Sequence, residues 1–455
     1  MNEEKKEATV YSEHLFLWPF SISGKHDIRS ATEDYLRALD KQGCWKRLEK
    51  TCDPPPIVRY GVWEYLSNEA RGVFPSLSLT DRDADGICSI LQRDVPEGST
   101  YTICHSERQE DESWVLDTWN LRLTGIEMHV YYPGIGILLL RTVNENNNKL
   151  SDIKKIADFG RRVRHPFLPQ DKTGGAADTL KLTLGNQVYE FRLLEQAKRA
   201  VSEQTHDASE PKALDFSILV DPGTGKGKIV PVADDRMFEM ELIYSDYLSN
   251  QVTNQNFPWR ENEAFTQMLY SLIFCDPGSP TCQDKEMRRS LLHQTIDPRW
   301  ADKGTLYAAS EYSFLCLTGE SDYCRNVLGQ NFLNQYLYMV SLTLTQRTGL
   351  MSFAERAGKL ARQKRRLNHH LNKLSKAYSS FQMQLMISRY SDQDQGIELY
   401  EKLQKQLRVE QYRDKIQQQL SGAFEQATLA AQNRQNLIIG VVGFVLALLQ
   451  IFLAA

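Results

Sequence analysis

The sequence predicts an α+β fold: a cytosolic mixed α/β domain, then long antiparallel helices, then a stalk helix that continues into one C-terminal transmembrane helix. Three observations predict it. Residues 437–455, LIIGVVGFVLALLQIFLAA, carry no charge, and a helix of that length measures roughly 28 Å, close to the ~30 Å hydrocarbon core of a bilayer. From Phe353 onward the chain has no proline and is patterned as helix. Between Ser21 and about Val340, by contrast, helix-period and strand-period segments are mixed.

The totals agree with this division. At 455 residues, 41% hydrophobic and 25% charged, the chain has ordinary globular composition and room for two or three domains. Its net charge of -4 hides an acidic body over residues 1–340 and a basic segment over 341–435. The expected boundaries are 1–330 for a sensor-like body, 331–396 for a long helix with a coiled-coil-like seam, 397–436 for the stalk and 437–455 for the span. The opening MNEEKKEATVYSEHLFLWPF starts with acidic residues and has a short apolar patch, unlike a secretory signal. The body is therefore expected in the cytoplasm, with the chain a single-pass protein of the cell (inner) membrane. Arg434 alone supplies a positive charge close to the span. The eight cysteines never fall into CxxC spacing, so buried or free thiols are expected rather than a zinc site.

Taken in order, DIRSATEDYLRALDKQ from Asp27 predicts a helix, as does SDIKKIADFGRRV, with Ser151 as N-cap and Asp152 in the first turn. QVYEFRLLEQAKRAVSEQ is assigned to a third. WNLRLTG, IEMHVYYPGIGILLLRTV and DFSILVDPGTGKGKIVPV predict strands, the last two broken by Pro133-Gly134 and Asp221-Pro222-Gly223 as hairpins would be. FLNQYLYMVSLTL, from Phe332, is apolar but too short for a span and includes Asn334 and Gln335. Leu360, Leu367, Leu371, Leu374, Tyr378, Phe381 and Leu385 form the coiled-coil-like seam. SDQDQG at Ser391–Gly396 reverses the chain. A second helix from about Ile397, with Tyr412, Ile416, Leu420 and Phe424 on one face, then leads toward the span.

Four features carry candidate chemistry. Asp81, Asp83, Asp85 and Gly86 match the first half of a calcium loop, but Gln92 stands where the bidentate glutamate belongs and Pro75 where the entering helix runs. An exposed acidic turn and weak divalent-cation binding are the two readings. Arg161, Arg162, Arg164 and His165 gather at a helix end, where they either complement the helix dipole or bind an anionic ligand. GTGKGK at Gly223–Lys228 lacks the spacing of a phosphate loop. In the span, Gly440, Gly443, Ala447, Gln450 and Ala454 share one face; small residues admit close helix packing and Gln seeks a partner, so self-association of this helix is expected. No catalytic signature occurs, and an enzyme is not expected.

SDQDQGIELYEKLQKQL followed by NRQNLIIGVVGFVLALL resembles the helical reversal and stalk of the CorA-type divalent cation transporter family, and PGIGILLLRTV and PVADDRMFEMELIY resemble sheet segments of divergent CorA-like proteins. The resemblance implies a homo-oligomer, a pentamer in that family, whose Gly443, Ala447 and Gln450 face turns toward a pore. The family's Gly-Met-Asn signature and second membrane helix are absent from this sequence. The expected function is thus a gated pore or divalent cation channel controlled by a cytosolic ligand-sensing domain. The alternatives are a membrane effector of a prokaryotic (CRISPR-type) defence system responding to a nucleotide messenger, and a non-conducting tail-anchored scaffold. The expected partners are the bilayer, further copies of the chain and a small anionic or nucleotide ligand, without direct nucleic-acid binding. No motif demands a cofactor; Mg2+ or another divalent cation is the one the acidic turn and the resemblance leave open.

Overall fold

Leu15 and Leu17 of the first strand face one side of a sheet and Phe16, Trp18 and Phe20 the other, and all five are buried. Successive side chains of a strand alternate. A strand buried on both sides needs a covered sheet, and that requirement organises the molecule. The computed structural model describes residues 10–23, 28–48, 54–79, 86–108, 113–165, 176–202, 216–223, 228–232, 235–253, 262–361, 367–423 and 425.

Among these, the strands are β1 (Tyr11–Ser23), β2 (Trp45–Arg47), β3 (Cys88–Arg93), β4 (Thr100–Arg108), β5 (Trp114–Tyr131), β6 (Ile135–Asn144), β7 (Thr179–Leu184), β8 (Gln187–Arg192), β9 (Lys228–Pro231), β10 (Phe238–Tyr244), β11 (Ile296–Asp297), β12 (Leu306–Ala309) and β13 (Ser313–Thr318). They form one mixed sheet in the order β11-β12-β13-β10-β1-β6-β5-β4-β7-β8, with β9 added to β1 and the β2–β3 pair added to β5. β10 and β13 run parallel. The other pairings are antiparallel, as the hairpin at Pro133-Gly134 anticipates.

The helices are α1 (Ile28–Gln42), α2 (Pro56–Tyr65), α3 (Asn68–Val73), α4 (Leu150–Gly160), α5 (Leu193–Ser202), α6 (Ser217–Val220), α7 (Asp246–Thr253), α8 (Glu263–Ile273), α9 (Lys285–Thr295), α10 (Gln330–Ala361), α11 (Leu367–Leu385) and α12 (Asp394–Gln406). α10 lies across the face formed by Leu15, Leu17, Leu139 and Met240, with α2 beside it. α1 and α4 cover the Phe16 face, and α7 and α8 pack against β13. Residues 332–345 of α10 are almost wholly buried. A helix apolar all round belongs in a core, and FLNQYLYMVSLTL is one. Phe353 meets Tyr378 and Phe381 at ring distances of 5.5 and 5.4 Å, and Gln346 donates to the Leu385 carbonyl, so α10 and α11 are antiparallel. Gly349 permits this approach, because a Cβ there would lie 2.4 Å from the Phe381 ring.

Five elements differ from the sequence reading. The long helix expected over 331–396, with its seam from Leu360 through Leu367 to Leu385, is instead two antiparallel helices, α10 ending at Ala361 and α11 beginning at Leu367, because the apolar faces around Phe353 and Phe381 pack against each other. Gln187–Arg192 is strand, since Gly185-Asn186 makes a two-residue hairpin with β7, and helix begins only at Leu193. The N-cap of α4 is Lys149, with no side-chain cap, rather than Ser151; Asp152 does sit in the first turn, accepting from Trp119. SILV at 217–220 is a short helix whose carbonyls receive Tyr35 and Trp45, because a four-residue apolar run fits either period. The helix expected from about Ile397 begins at Asp394, stops at Gln406 and resumes over 409–423, with Arg408 at φ 54 in the break. Among the described residues no helix is long and apolar enough to cross a membrane; 437–455, with Gly440, Gly443, Ala447, Gln450 and Ala454, lies outside them.

Candidate anion-binding pocket

The end of α4 is drawn tightly onto the sheet. A Cβ on Gly160 would lie 2.6 Å from Phe16 and 2.9 Å from Ile103, so only glycine admits this approach. The Gly160 carbonyl accepts from the Tyr101 hydroxyl at 2.6 Å. Immediately beyond, residues 161–163 run alongside 235–237: Met237 N donates to the Arg161 carbonyl and Val163 N to the Asp235 carbonyl. This pairing brings Arg161 and Arg236 together. Both guanidiniums lie over the Tyr312 ring, at 5.3 and 5.4 Å.

Tyr312 and Glu311 form the tip of the β12–β13 hairpin. Ser310 and Ser313 fix that tip by donating to the Ile273 carbonyl at 2.7 and 2.6 Å, while the Ser310 hydroxyl accepts from Tyr312 N and Ser313 N. Opposite stands α10, where Arg347 donates to Glu311 at 2.7 Å. Arg161, Arg236, Glu311, Tyr312, Arg347 and Thr348 thus line a pocket of about 130 Å³, walled by Pro19, Val232, Met237, Phe238, Leu344 and Met351.

Arg161 is 1% exposed, and only Nη2 has a bond, to Asp158 at 3.3 Å; Nε and Nη1 have none. Burial works against its charge, but the nearby carboxylates of Asp158, Glu239 and Asp235 outweigh this and hold its pKa above the ordinary value. Buried guanidinium N–H groups without acceptors are costly, and at a pocket wall they suit an incoming anion.

Behind Arg161 lies a buried polar cluster. Glu239 accepts from His14 Nδ1 and, at 3.5 Å, from the Cys275 thiol, which burial keeps well above its usual pKa. Cys275 has φ 49, unusual for a residue with a Cβ. Burial, reinforced by Glu239, pushes Glu241 well up; neither of its oxygens has a hydrogen-bond partner, and His14 Nδ1 stands 3.9 Å from Oε1. On the opposite face, Ser341 of α10 meets His129 Nδ1 and the Tyr131 hydroxyl at 2.8 Å each, and His129 Nε2 lies 3.5 Å from Glu127. The order of acid, imidazole and hydroxyl is that of an acyl-transfer triad. All three are buried where α10 packs on the sheet, so the arrangement latches that helix to β5.

Of the sequence candidates among the described residues, Arg161 alone reaches the pocket. Arg162 bridges Asp158 at 2.9 Å and Asp235 at 2.6 Å, holding the two segments together; Arg164 is exposed, and His165 is buried outside the pocket lining. The sequence reading missed Arg236, Glu311, Tyr312 and Arg347. Arg347 is a lone charge in the apolar run of α10, the one signal that pointed to it. Asp81, Asp83 and Asp85 lie outside the described residues, among which no group of three or more His, Cys, Asp or Glu side chains is placed to hold a metal. No protein-family model, no curated protein and no solved structure matches this chain.

Proposed function

We propose that the chain is a membrane-anchored sensor in which a small anionic ligand, bound between Arg161, Arg236 and Arg347, controls the helices that lead to residues 437–455. Copies of that apolar segment, assembled as a homo-oligomer, form a gated cation-conducting pore. The observation that carries the reading is the position of α10. It contributes Leu344, Arg347, Thr348 and Met351 to the pocket wall, while its neighbouring Gln346 donates to the Leu385 carbonyl at 2.7 Å and the Tyr400 hydroxyl at 2.8 Å. One turn of α10 therefore touches the ligand site, the end of α11 and α12. Differential contacts of this kind let a ligand shift a conformational equilibrium. The pore itself rests on the sequence of the span and on the CorA-type resemblance.

The test is cation flux from liposomes containing the full chain, with inorganic phosphate and pyrophosphate as probes. The reading expects flux that responds to a probe, and a response moved to higher concentration by Arg161→Ala and Arg347→Ala. Incorporated protein that passes no cation under any probe would leave a membrane-anchored sensor without a pore.

A further inference from the structure

Granting that the pocket takes an anion, we infer that Glu311 is its built-in competitor: a phosphate-type dianion takes Arg347 from Glu311, and the released carboxylate passes to Arg408 at the helix break. Glu311 shares its two oxygens between these guanidiniums, with Oε1 2.7 Å from Arg347 and Oε2 3.5 Å from Arg408. Arg347 lines the pocket; Arg408 does not, and stands where α12 ends and helix 409–423 begins.

Three features give the exchange its direction. The hairpin tip is pinned through Ser310 and Ser313, so the backbone of Glu311 is fixed and its side chain is left to move. The pocket already holds one carboxylate on Arg347, so a ligand must offer more charge and more acceptor oxygens than a second carboxylate does. A phosphate group has both: it can take the Arg347 fork and the two unpartnered nitrogens of Arg161 together. Once it is bound, its negative charge repels Glu311 away from the pocket, toward Arg408.

Arg408 is suited to receive it. Its φ of 54 is a left-handed conformation that side chains other than glycine adopt at a cost, so tertiary contacts hold the break in place. The Glu311–Arg408 contact is loose as it stands, with Arg408 58% exposed, and is weak in the absence of the anion. Capture of the full carboxylate strengthens it and tightens the junction.

The experiment titrates inorganic phosphate into the full chain in detergent by calorimetry, with acetate as the single-charge control, and follows amide exchange over residues 405–412. In the wild type, phosphate should bind, acetate should not, and exchange at the break should slow. Glu311→Gln removes the competitor, so phosphate should bind about tenfold more tightly while exchange at 405–412 ceases to respond. Arg408→Ala should keep phosphate affinity within about twofold and also lose the exchange response. Unchanged or weaker phosphate binding in a folded Glu311→Gln protein overturns the competitor. An exchange response that survives in Arg408→Ala overturns the transfer. Phosphate binding that is indifferent to both Arg161→Ala and Arg347→Ala instead removes the pocket reading on which the inference rests.

Discussion

His14 Nδ1 stands 2.8 Å from Glu239 Oε1, and neither side chain has any exposed surface. The imidazole is held from its other side by Ser12, 2.9 Å from Nε2, and the carboxylate also receives the Cys275 thiol. Removing one partner from such a set leaves polar groups buried without compensation, at a cost of about 3–5 kcal/mol. Glu239→Ala should lower unfolding stability by that order, and Glu239→Gln, which keeps an acceptor for His14, by less. Urea unfolding at pH 7 measures both. Equal stability of the alanine variant and wild type would show that the cluster adds nothing net.

Glu241 is two residues along the same strand face, with Glu239 and Lys154 as its charged neighbours. Its carboxyl is raised well above 4.5, so between 4.5 and the folded value the native state binds a proton that the unfolded chain has released. The stabilisation belonging to this group is complete below pH 4.5 and declines as pH rises through the folded pKa. Glu241→Gln removes the titration while keeping the shape. The variant should gain stability relative to wild type at pH 8, and the difference should shrink toward pH 4.5. Thermal unfolding across that range checks it, and a pH-independent difference would mean that Glu241 is ionised in the fold.

Much of this arrangement was legible in the sequence, though unevenly. The hairpin at Pro133-Gly134, the helix from Ile28 and the α11 seam through Leu371, Leu374, Tyr378 and Phe381 follow from local periodicity, which one element is enough to display. The Gln187–Arg192 strand was hidden because VYEF satisfies a helical window when the Gly185-Asn186 turn is not weighed. The pocket was legible only at Arg161. Arg236, Tyr312 and Arg347 come from three segments that are brought together by the β10–β13 pairing and by the crossing of α10, and no local pattern encodes such a meeting. The break at Arg408 was equally silent, for it lacks glycine and proline and depends on tertiary contacts.

Glu127 shows the opposite titration from Glu241. Burial would raise its carboxyl, but the Arg141 guanidinium at 2.7 Å, together with His129, outweighs burial and holds it at about 2. Its contribution, on the order of 3 kcal/mol, is present above the unfolded value of 4.5 and is lost as pH falls through about 2. Glu127→Gln should therefore destabilise at neutral pH and lessen the fall in stability between pH 4.5 and 2.5. Chemical unfolding over that interval is the measurement; parallel curves for the two proteins would rule out Glu127 as a source of acid sensitivity.

Gln346 and Arg347 are consecutive on α10 but face different duties, and that separation can be tested. Gln346 is buried, donates to the Leu385 carbonyl and the Tyr400 hydroxyl, and accepts from Gln404 at 3.3 Å. Gln346→Leu preserves the bulk and leaves these groups without their partner, at about 1–3 kcal/mol for each buried group left unsatisfied. Tyr400 retains a second bond, to the Ile387 carbonyl at 3.2 Å, so the cost should fall mainly on the Leu385 carbonyl and on Gln404. A loss of about 2 kcal/mol in the full chain is expected, within reach of urea unfolding. Phosphate affinity should stay close to that of wild type, because Gln346 does not line the pocket. On the proposed function the flux response should nevertheless weaken, since α12 is then no longer tied to the turn of α10 that lines the pocket. Arg347→Ala should do the reverse, lowering affinity first while sparing most of the stability, because its ion pair with Glu311 is partly exposed. If Gln346→Leu loses phosphate binding as severely as Arg347→Ala does, the pocket and the helix junction form one structural unit, and α10 cannot be acting as the element that relays between them.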